Sequence, residues 1–213
     1  MAKRGNSNYG PLVWIDCEMT GLDLKRDLVI EIACFVTDSN LKLVDQDGFE
    51  RVVSCPKEIL DCMNEWCVEH HGQSGLTDKV LASTATLAQV EEELIEYLRV
   101  KCGVDEGKGV LTGNSVHMDK EFLRKDMPKL IDYLHYRIVD VSTIKELAKR
   151  RDFHIYANAP KKQYNHTAKS DILESIEELQ YYYDTWLLPR SKSRSASNSP
   201  TRTEKASQPA TTL

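Results

Sequence analysis

LVWIDCE, residues 12–18, is a run of four apolar residues followed by two acids that flank a cysteine. Such an apolar run is typical of a buried strand. Residues two apart on a strand point to the same face, so Asp16 and Glu18 would project their carboxylates together. Two adjacent carboxylates repel each other unless a cation neutralises them, and oxygen ligands alone favour a hard divalent ion such as Mg²⁺ or Mn²⁺. The same pair also fits a strand end that faces water.

Two later segments supply further acids. TGNSVHMD, residues 112–119, joins a short apolar stretch to a helix-like segment and places Asp119 in the first turn of that helix. HTAKSD, residues 166–171, opens a long amphipathic stretch. If His166 and Asp171 were both helical, their side chains would point about 140° apart. The two residues can therefore reach one site only if His166 lies on the loop that precedes the helix.

Together these acids and the histidine form a complete set for metal-assisted hydrolysis of a phosphodiester. Two cations roughly 3.5–4 Å apart can activate a water and stabilise the leaving oxygen in an in-line displacement. Asp16 would bridge the two ions, and the other ligands would be Glu18, Asp119 and Asp171. His166 suits the general base, because the pKa of an imidazole lies near about 6.5. The alternative for His166 is a solvent-exposed loop histidine.

The order Asp-x-Glu, Asp and His-x4-Asp resembles that of the DEDD-type 3′→5′ exonucleases with a histidine in the third motif. Within them, the chain resembles the oligoribonucleases, or small RNA exonucleases, over roughly residues 10–188. The matching stretches are VWIDCEMTGLD (13–23), VIEIACFVTD (29–38), GNSVHMDKEFL (113–123), HYRIVDVSTIKELAKR (135–150) and HTAKSDILESIEELQYY (166–182). One departure is Ser170-Asp171, where the family usually has two adjacent aspartates. Asp171 keeps the ligand's distance from the histidine, but its surroundings differ.

The resemblance implies contacts between this chain and the bases of a short RNA. The family's residue at the position of Leu22 wedges between the two bases of the substrate. The residues matching Trp66 and His71 flank the substrate, and aromatic faces do stack on bases. By residue type alone, Leu22 would be an ordinary loop leucine and Trp66 a half-buried aromatic.

The resemblance also implies a cap over the 5′ phosphate of the substrate. The family's residues at Ser115, Arg137 and Ser142 bind that phosphate, and arginine is a good bidentate phosphate ligand. Such a cap limits substrate length, because a longer chain has nowhere to continue. The residue matching Tyr136 reaches the site from a second subunit, which implies a homodimer. From the residues alone, Arg137 would be a surface charge.

The pattern of strands and helices predicts an α/β sheet with helices packed against it. Strand candidates are 12–18, 29–38, 43–54, 109–113 and 137–141, and helix candidates are 56–68, 84–101, 119–126, 142–151 and 167–187. The resemblance implies a ribonuclease-H-like mixed sheet in a single domain. We expect a short N-terminal extension at 1–10, the exonuclease domain at 11–188, and a disordered basic Ser/Thr-rich tail at 189–213.

The charge of the chain is unusual for a nucleic-acid enzyme. The formal net charge is −5, yet residues 190–213 hold five basic residues and one acid, so the remainder is −9. Proteins that track long polyanions usually present a basic surface. An acidic body is better suited to a substrate with few phosphates, which agrees with the short RNA implied by the resemblance.

Cysteine usage and hydropathy bear on the compartment. The six cysteines form no CxxC pair and are expected to be free thiols in a reducing compartment. No apolar stretch approaches the 18 or so residues needed to span a membrane. Lys3 and Arg4 are too few basic residues for a mitochondrial presequence, so we expect a cytoplasmic protein. The resemblance also allows a mitochondrial location.

The leading hypothesis is a 3′→5′ exoribonuclease that converts very short RNAs, down to dinucleotides, to 5′-mononucleotides. One alternative is a DEDD-type exonuclease with the same chemistry that acts on longer RNA or DNA. A second alternative is a catalytically silent nuclease-fold protein that serves as an interaction module. The presence of every expected carboxylate argues against a silent protein.

Overall fold

The computed structural model describes residues 10–161 and 167–187. His166, the predicted tail and all but the last residue of the predicted N-terminal extension lie outside these ranges. No helix within the described ranges is both long and apolar enough to cross a membrane.

The described residues form a five-stranded mixed sheet in the order β3-β2-β1-β4-β5. The strands are β1 (Leu12–Met19), β2 (Val29–Thr37), β3 (Phe49–Val52), β4 (Val110–Gly113) and β5 (Ile138–Asp140). The first three strands pair antiparallel, whereas β1–β4 and β4–β5 pair parallel. The prediction of a mixed sheet flanked by helices in a single domain is confirmed.

Helices cover both faces of the sheet. They are α1 (Lys57–Leu60), α2 (Glu65–Gln73), α3 (Leu76–Ala82), α4 (Leu87–Glu96), α5 (His117–Asp126), α6 (Pro128–Tyr133), α7 (Val141–Arg151), α8 (Phe153–Ala157) and α9 (Ala168–Tyr182). Single π-helical turns, Tyr97–Lys101 and Tyr183–Leu187, continue α4 and α9.

β1 is apolar because it is buried on both faces. Val13 and Ile15 face one core, which contains the apolar side chains of α4, α5 and α6. Trp14 faces the opposite core, which contains side chains of α7 and α9. The Trp14 indole N–H donates to Thr37 Oγ1 at 3.0 Å, so the ring is buried with its polar atom satisfied. The even-numbered face of β1 therefore lies against α9.

The third strand is shorter than its predicted span of 43–54. Leu43 makes only an isolated bridge with Thr37, and β3 begins at Phe49. Between them, the Asp45 carboxylate accepts a hydrogen bond from the Gly48 N–H at 3.0 Å, and Gly48 has a φ of 66°. This turn keeps residues 44–48 out of the sheet, because a left-handed residue cannot continue a strand.

The predicted helix at 56–68 is two helices. α1 ends at Leu60, and α2 begins after Asn64, whose side chain accepts a hydrogen bond from the Cys67 N–H at 2.9 Å. An asparagine in this role fixes the start of a helix. Helices α3, α6 and α8 were not predicted, because each has seven residues or fewer and shows little periodicity.

Candidate active site

The acids of β1 meet an acid of α9 at the sheet surface. Asp16 and Glu18 project from the face that α9 covers, and Asp171 lies in the first turn of that helix. Carboxylate oxygens of Asp16, Glu18 and Asp171 lie within 4.8 Å of one another. Thr167 caps α9 by accepting a hydrogen bond from the Ser170 N–H, which fixes where the helix begins. The structure thus brings three of the four predicted metal ligands to one point.

Asp119 approaches the same strand from α5. It lies in the first turn of α5, as expected, and its side chain is buried. Its Oδ1 accepts a hydrogen bond at 3.0 Å from the N–H of Cys17, the residue between the two acids of β1. The fourth predicted ligand is therefore held beside the other three by a backbone contact.

The raised pKa values of two carboxyl groups in this cluster show that a positively charged ligand would be favoured here. Burial, with Glu31, Asp171 and Asp119 nearby, raises the pKa of Glu18 from 4.5 to about 7. Burial also raises the pKa of Asp119 from 3.8 to about 6, although the Cys17 N–H opposes the shift. A divalent cation would reverse these shifts by neutralising the carboxylates. Because every donor is a carboxylate oxygen, the set fits a hard cation such as Mg²⁺ or Mn²⁺.

A pair of serines lies where β4 and β5 end. The Ser115 N–H donates to Ser142 Oγ and to Asp140 Oδ1, both at 3.0 Å, and the two serine hydroxyls are 3.2 Å apart. Ser115 has a φ of 53°, a left-handed conformation that non-glycine residues rarely adopt. These hydrogen bonds hold it there. The structure thus brings together the two serines that the resemblance implies for the phosphate cap.

Arg137 lies away from this serine pair. It precedes β5, whereas Ser142 follows that strand, so the two residues lie at opposite ends of β5. The Arg137 guanidinium lies over the ring of Tyr136, 5.2 Å from its centroid, and Tyr136 is 72% exposed. Within one chain, the structure does not unite the predicted arginine and serines.

Leu22 lies on a tightly bonded loop and is 71% exposed. At the centre of the loop, the Asp27 carboxylate accepts hydrogen bonds from the Thr20 hydroxyl at 3.1 Å and the Asp23 N–H at 2.8 Å. A Cβ at Gly21 would lie 2.4 Å from Asp27 Oδ2, so the loop closes with no room for a side chain there. The backbone that carries this exposed apolar side chain is thereby held next to the strand that bears the acids.

Trp66 and His71 occupy different environments on α2. Trp66 is 58% exposed and stacks on His70 with ring centroids 3.9 Å apart. His71 is buried, and its Nε2–H donates to the Met19 carbonyl at 3.0 Å, which anchors the end of β1. Burial lowers the pKa of His71, which favours the neutral ring. His71 thus holds the end of the strand that bears Asp16 and Glu18. Its contact with substrate stays a prediction.

Sequence comparison gives the family. The profile of the Exonuclease (RNase T) family matches residues 13–179. The mitochondrial oligoribonuclease of Saccharomyces cerevisiae is 53% identical over 193 residues, which cover 88% of this chain and 71% of that protein. The human mitochondrial oligoribonuclease is 49% identical over 178 residues, covering 84% of this chain and 74% of that protein. The chain belongs to the oligoribonuclease family.

Membership in the oligoribonuclease family makes the chain a nuclease, a hydrolase of phosphodiester bonds. Solved structures agree in fold. A complex of E. coli Exonuclease I with a dA16 oligonucleotide has a TM-score of 0.63 at 16% identity, with 84% of this chain and 41% of that chain covered. Cell-death related nuclease 4 has a TM-score of 0.63 at 16% identity, with 84% and 65% covered. Exonucleases of this fold depend on divalent metal, in keeping with the carboxylate cluster.

Sequence reasoning missed Asp140. Its Oδ1 accepts hydrogen bonds from the N–H groups of both Ser115 and Ser142, and its Oδ2 lies 3.2 Å from His117 Nδ1. Asp140 therefore organises the serine pair. Its position directly before α7, where aspartate often caps a helix, was the signal that could have identified it.

Proposed function

We propose that the chain is a 3′→5′ exoribonuclease that hydrolyses very short RNA oligonucleotides, down to dinucleotides, to 5′-mononucleotides. The observation that carries this proposal is the convergence of Asp16, Glu18 and Asp171 within 4.8 Å. The oligoribonucleases that the chain resembles at 49–53% identity support the substrate class. The formal net charge of the chain is −5, and it is −9 when residues 190–213 are left out. This excess of acidic residues supports a substrate with few phosphates.

The residues divide the hydrolytic work between them. Asp16, Glu18, Asp119 and Asp171 would hold two divalent ions, which supply Lewis-acid activation of the scissile phosphate and of the attacking water. The Cys17 N–H fixes the Asp119 carboxylate, so that ligand needs little reorganisation. We assign removal of the water's proton to His166, which is outside the described residues and immediately precedes the cap of α9.

The remaining residues of the proposed site would bind and measure the substrate. Leu22 and Trp66 are exposed apolar surfaces suited to contact with bases. The serine pair would receive the 5′ phosphate. Because Arg137 shares the exposed surface of Tyr136 and lies away from these serines, we propose that a second copy of the chain supplies both Tyr136 and Arg137. A homodimer would then complete each site.

Combining two impaired variants in one dimer tests the composite site. We expect Arg137→Ala to lower kcat/KM for a 5′-phosphorylated dinucleotide by about 10- to 100-fold, because a hydrogen bond to a charged group contributes roughly 1.5–3 kcal/mol, and to affect longer oligomers less. Co-expression with Asp119→Asn should restore activity, since a mixed dimer has one site with intact carboxylates and the partner's arginine. The measurement is dinucleotide hydrolysis by purified mixed dimers carrying two different tags. Mixed dimers no more active than Arg137→Ala itself would place the arginine in its own chain's site.

The function itself is tested by a time course on RNAs of two, five and twenty nucleotides. We expect rapid release of mononucleotides from the dinucleotide with Mg²⁺ or Mn²⁺, little change in the twenty-mer, and no reaction with EDTA. Stepwise shortening of the twenty-mer would support an exonuclease of longer RNA and contradict the phosphate cap. No cleavage in any reaction would favour a silent interaction module.

A further inference from the structure

Asn114 lies between the serine pair and the helix that bears Asp171. Its Nδ2 donates to Ser175 Oγ at 2.9 Å and to Glu178 Oε2 at 3.2 Å, and both partners are buried residues of α9. On its other side, Asn114 Oδ1 accepts the hydroxyl proton of Ser142 at 3.1 Å. One side chain thus joins the carboxylate helix to the serine pair.

The orientation of this amide follows from its partners. Glu178 Oε2 can only accept hydrogen bonds, and the Ser175 hydroxyl already donates to the Asp171 carbonyl at 2.7 Å. Both positions therefore require the NH₂ group of Asn114, which leaves Oδ1 facing Ser142. Glu178 is fixed in turn by Lys145 Nζ at 3.0 Å and by the Tyr182 hydroxyl at 3.3 Å.

This orientation makes the two serines unequal. A hydroxyl has one proton, and that of Ser142 is directed to Asn114 Oδ1. Ser142 Oγ therefore acts as an acceptor and receives the Ser115 N–H at 3.0 Å. The hydroxyl of Ser115, an exposed residue, is then the one whose proton can turn to an anionic oxygen outside the chain. Ser115 is the donor of the pair, and Ser142 holds it in place.

We propose that Asn114 is a positioning residue that sets the distance between the serine pair and the carboxylate cluster, and so lets the enzyme select a 5′ phosphate at one fixed spacing from the scissile bond. The inference rests on the proposed function, since it assumes that the serine pair receives that phosphate. The hydrogen bonds that carry this role run from Asn114 to Ser142, Ser175 and Glu178. Asn114 acts through the Ser142 hydroxyl on one side and through α9 on the other.

A swap of polarity between Asn114 and Glu178 tests this role. Asn114→Asp keeps the oxygen that accepts from Ser142, but it places a second carboxylate against that of Glu178. Glu178→Gln alone places the new NH₂ group against the NH₂ group of Asn114.

The double variant, Asn114→Asp with Glu178→Gln, has the same net charge as the wild type and restores the hydrogen bond between residues 114 and 178 with donor and acceptor exchanged. The Ser175 hydroxyl must then turn from the Asp171 carbonyl to donate to residue 114. The Glu178→Gln change keeps the other contacts of that side chain, because the amide oxygen still accepts from Lys145 and Tyr182 in place of the carboxylate oxygen.

The measured quantity is the ratio of kcat/KM for the 5′-phosphorylated dinucleotide pApA to that for ApA, which lacks the phosphate. We expect each single variant to lower this ratio by about 10-fold or more and the double variant to recover most of it, since the interactions at stake include hydrogen bonds to a charged group. Thermal unfolding of all four proteins identifies any variant that fails to fold.

Two results would overturn the inference, and they differ from each other. If the wild type shows no preference for pApA, the phosphate cap of the proposed function fails and this inference fails with it. If the wild type prefers pApA and a folded Asn114→Asp variant keeps the same ratio, the cap stands and the positioning role of Asn114 is wrong. A purely structural residue would lower both kcat/KM values together and leave their ratio unchanged.

Discussion

Replacing Asp119 with Asn should lower kcat by at least about a thousandfold, the scale expected when a ligand of a catalytic metal is lost. The amide oxygen of the new side chain can still accept the Cys17 N–H, which now bonds Asp119 Oδ1 at 3.0 Å. The substitution therefore removes a negative charge from the cluster while it keeps the contact between α5 and β1. Folding should be preserved, because the buried residue keeps its shape and its partner.

The measurement is single-turnover hydrolysis of a dinucleotide with saturating Mn²⁺, alongside circular dichroism and thermal unfolding. Glu121→Gln is a matched control. Glu121 lies on the same helix but pairs with the exposed Arg124 at 2.6 Å, so its loss should leave the rate nearly unchanged. Activity of Asp119→Asn within tenfold of the wild type would remove Asp119 from the proposed site.

Without metal, the protein should lose stability as the pH rises from 3.8 to about 7. The folded-state pKa of Glu18 is about 7 against 4.5 for the free side chain, and that of Asp119 is about 6 against 3.8. A raised carboxyl pKa means that the folded state binds the proton more tightly than the unfolded state does. The stabilisation is complete below the unfolded pKa values and disappears as the pH passes through the folded ones. The loss is on the order of 3 kcal/mol for Glu18.

A divalent cation should reverse this trend, because it stabilises the ionised carboxylates. We expect Mn²⁺ to raise Tm more at pH 8 than at pH 5, where protons compete for the same oxygens. Thermal unfolding across this pH range, with EDTA and with Mn²⁺, measures both effects. Glu18→Gln should flatten the metal-free profile, whereas Glu121→Gln should not. A Tm gain from Mn²⁺ that is equal at both pH values would contradict a carboxylate site.

The first strand and the acids of the site could be predicted from the sequence because their signals are local. A strand that is buried on both faces needs apolar residues at odd and even positions, and Val13 and Trp14 meet this requirement. Two acids that are two residues apart on a strand must share a face. The first-turn position of Asp119 followed in the same way from the Gly-Asn turn before it. The compartment stays a prediction, although the yeast and human relatives are named mitochondrial oligoribonucleases.

What could not be predicted depends on contacts between distant segments. His71 is polar, yet it can be buried because its ring N–H is hydrogen-bonded to the carbonyl of Met19, 52 residues earlier. In the sequence, Asn114 has the features of a turn residue. Its hydrogen bonds to α9 join residues that are 61 and 64 positions apart. The meeting of Ser115 with Ser142, which leaves Arg137 at the other end of β5, depends on the parallel pairing of β5 with β4. None of these contacts leaves a trace in composition or periodicity.

The loop that holds Leu22 has a consequence for how quickly a substrate can be accepted. The hydrogen bonds to Asp27 and the absence of space at Gly21 hold the backbone on both sides of the leucine in place before any ligand arrives. Ordering entropy is therefore lost during folding and not during association. A substrate need not wait for a slow rearrangement, so encounter and productive binding should follow one second-order step. For the proposed short-RNA substrate, a loop that is already ordered lowers the entropy lost on binding and so favours affinity as well as rapid capture.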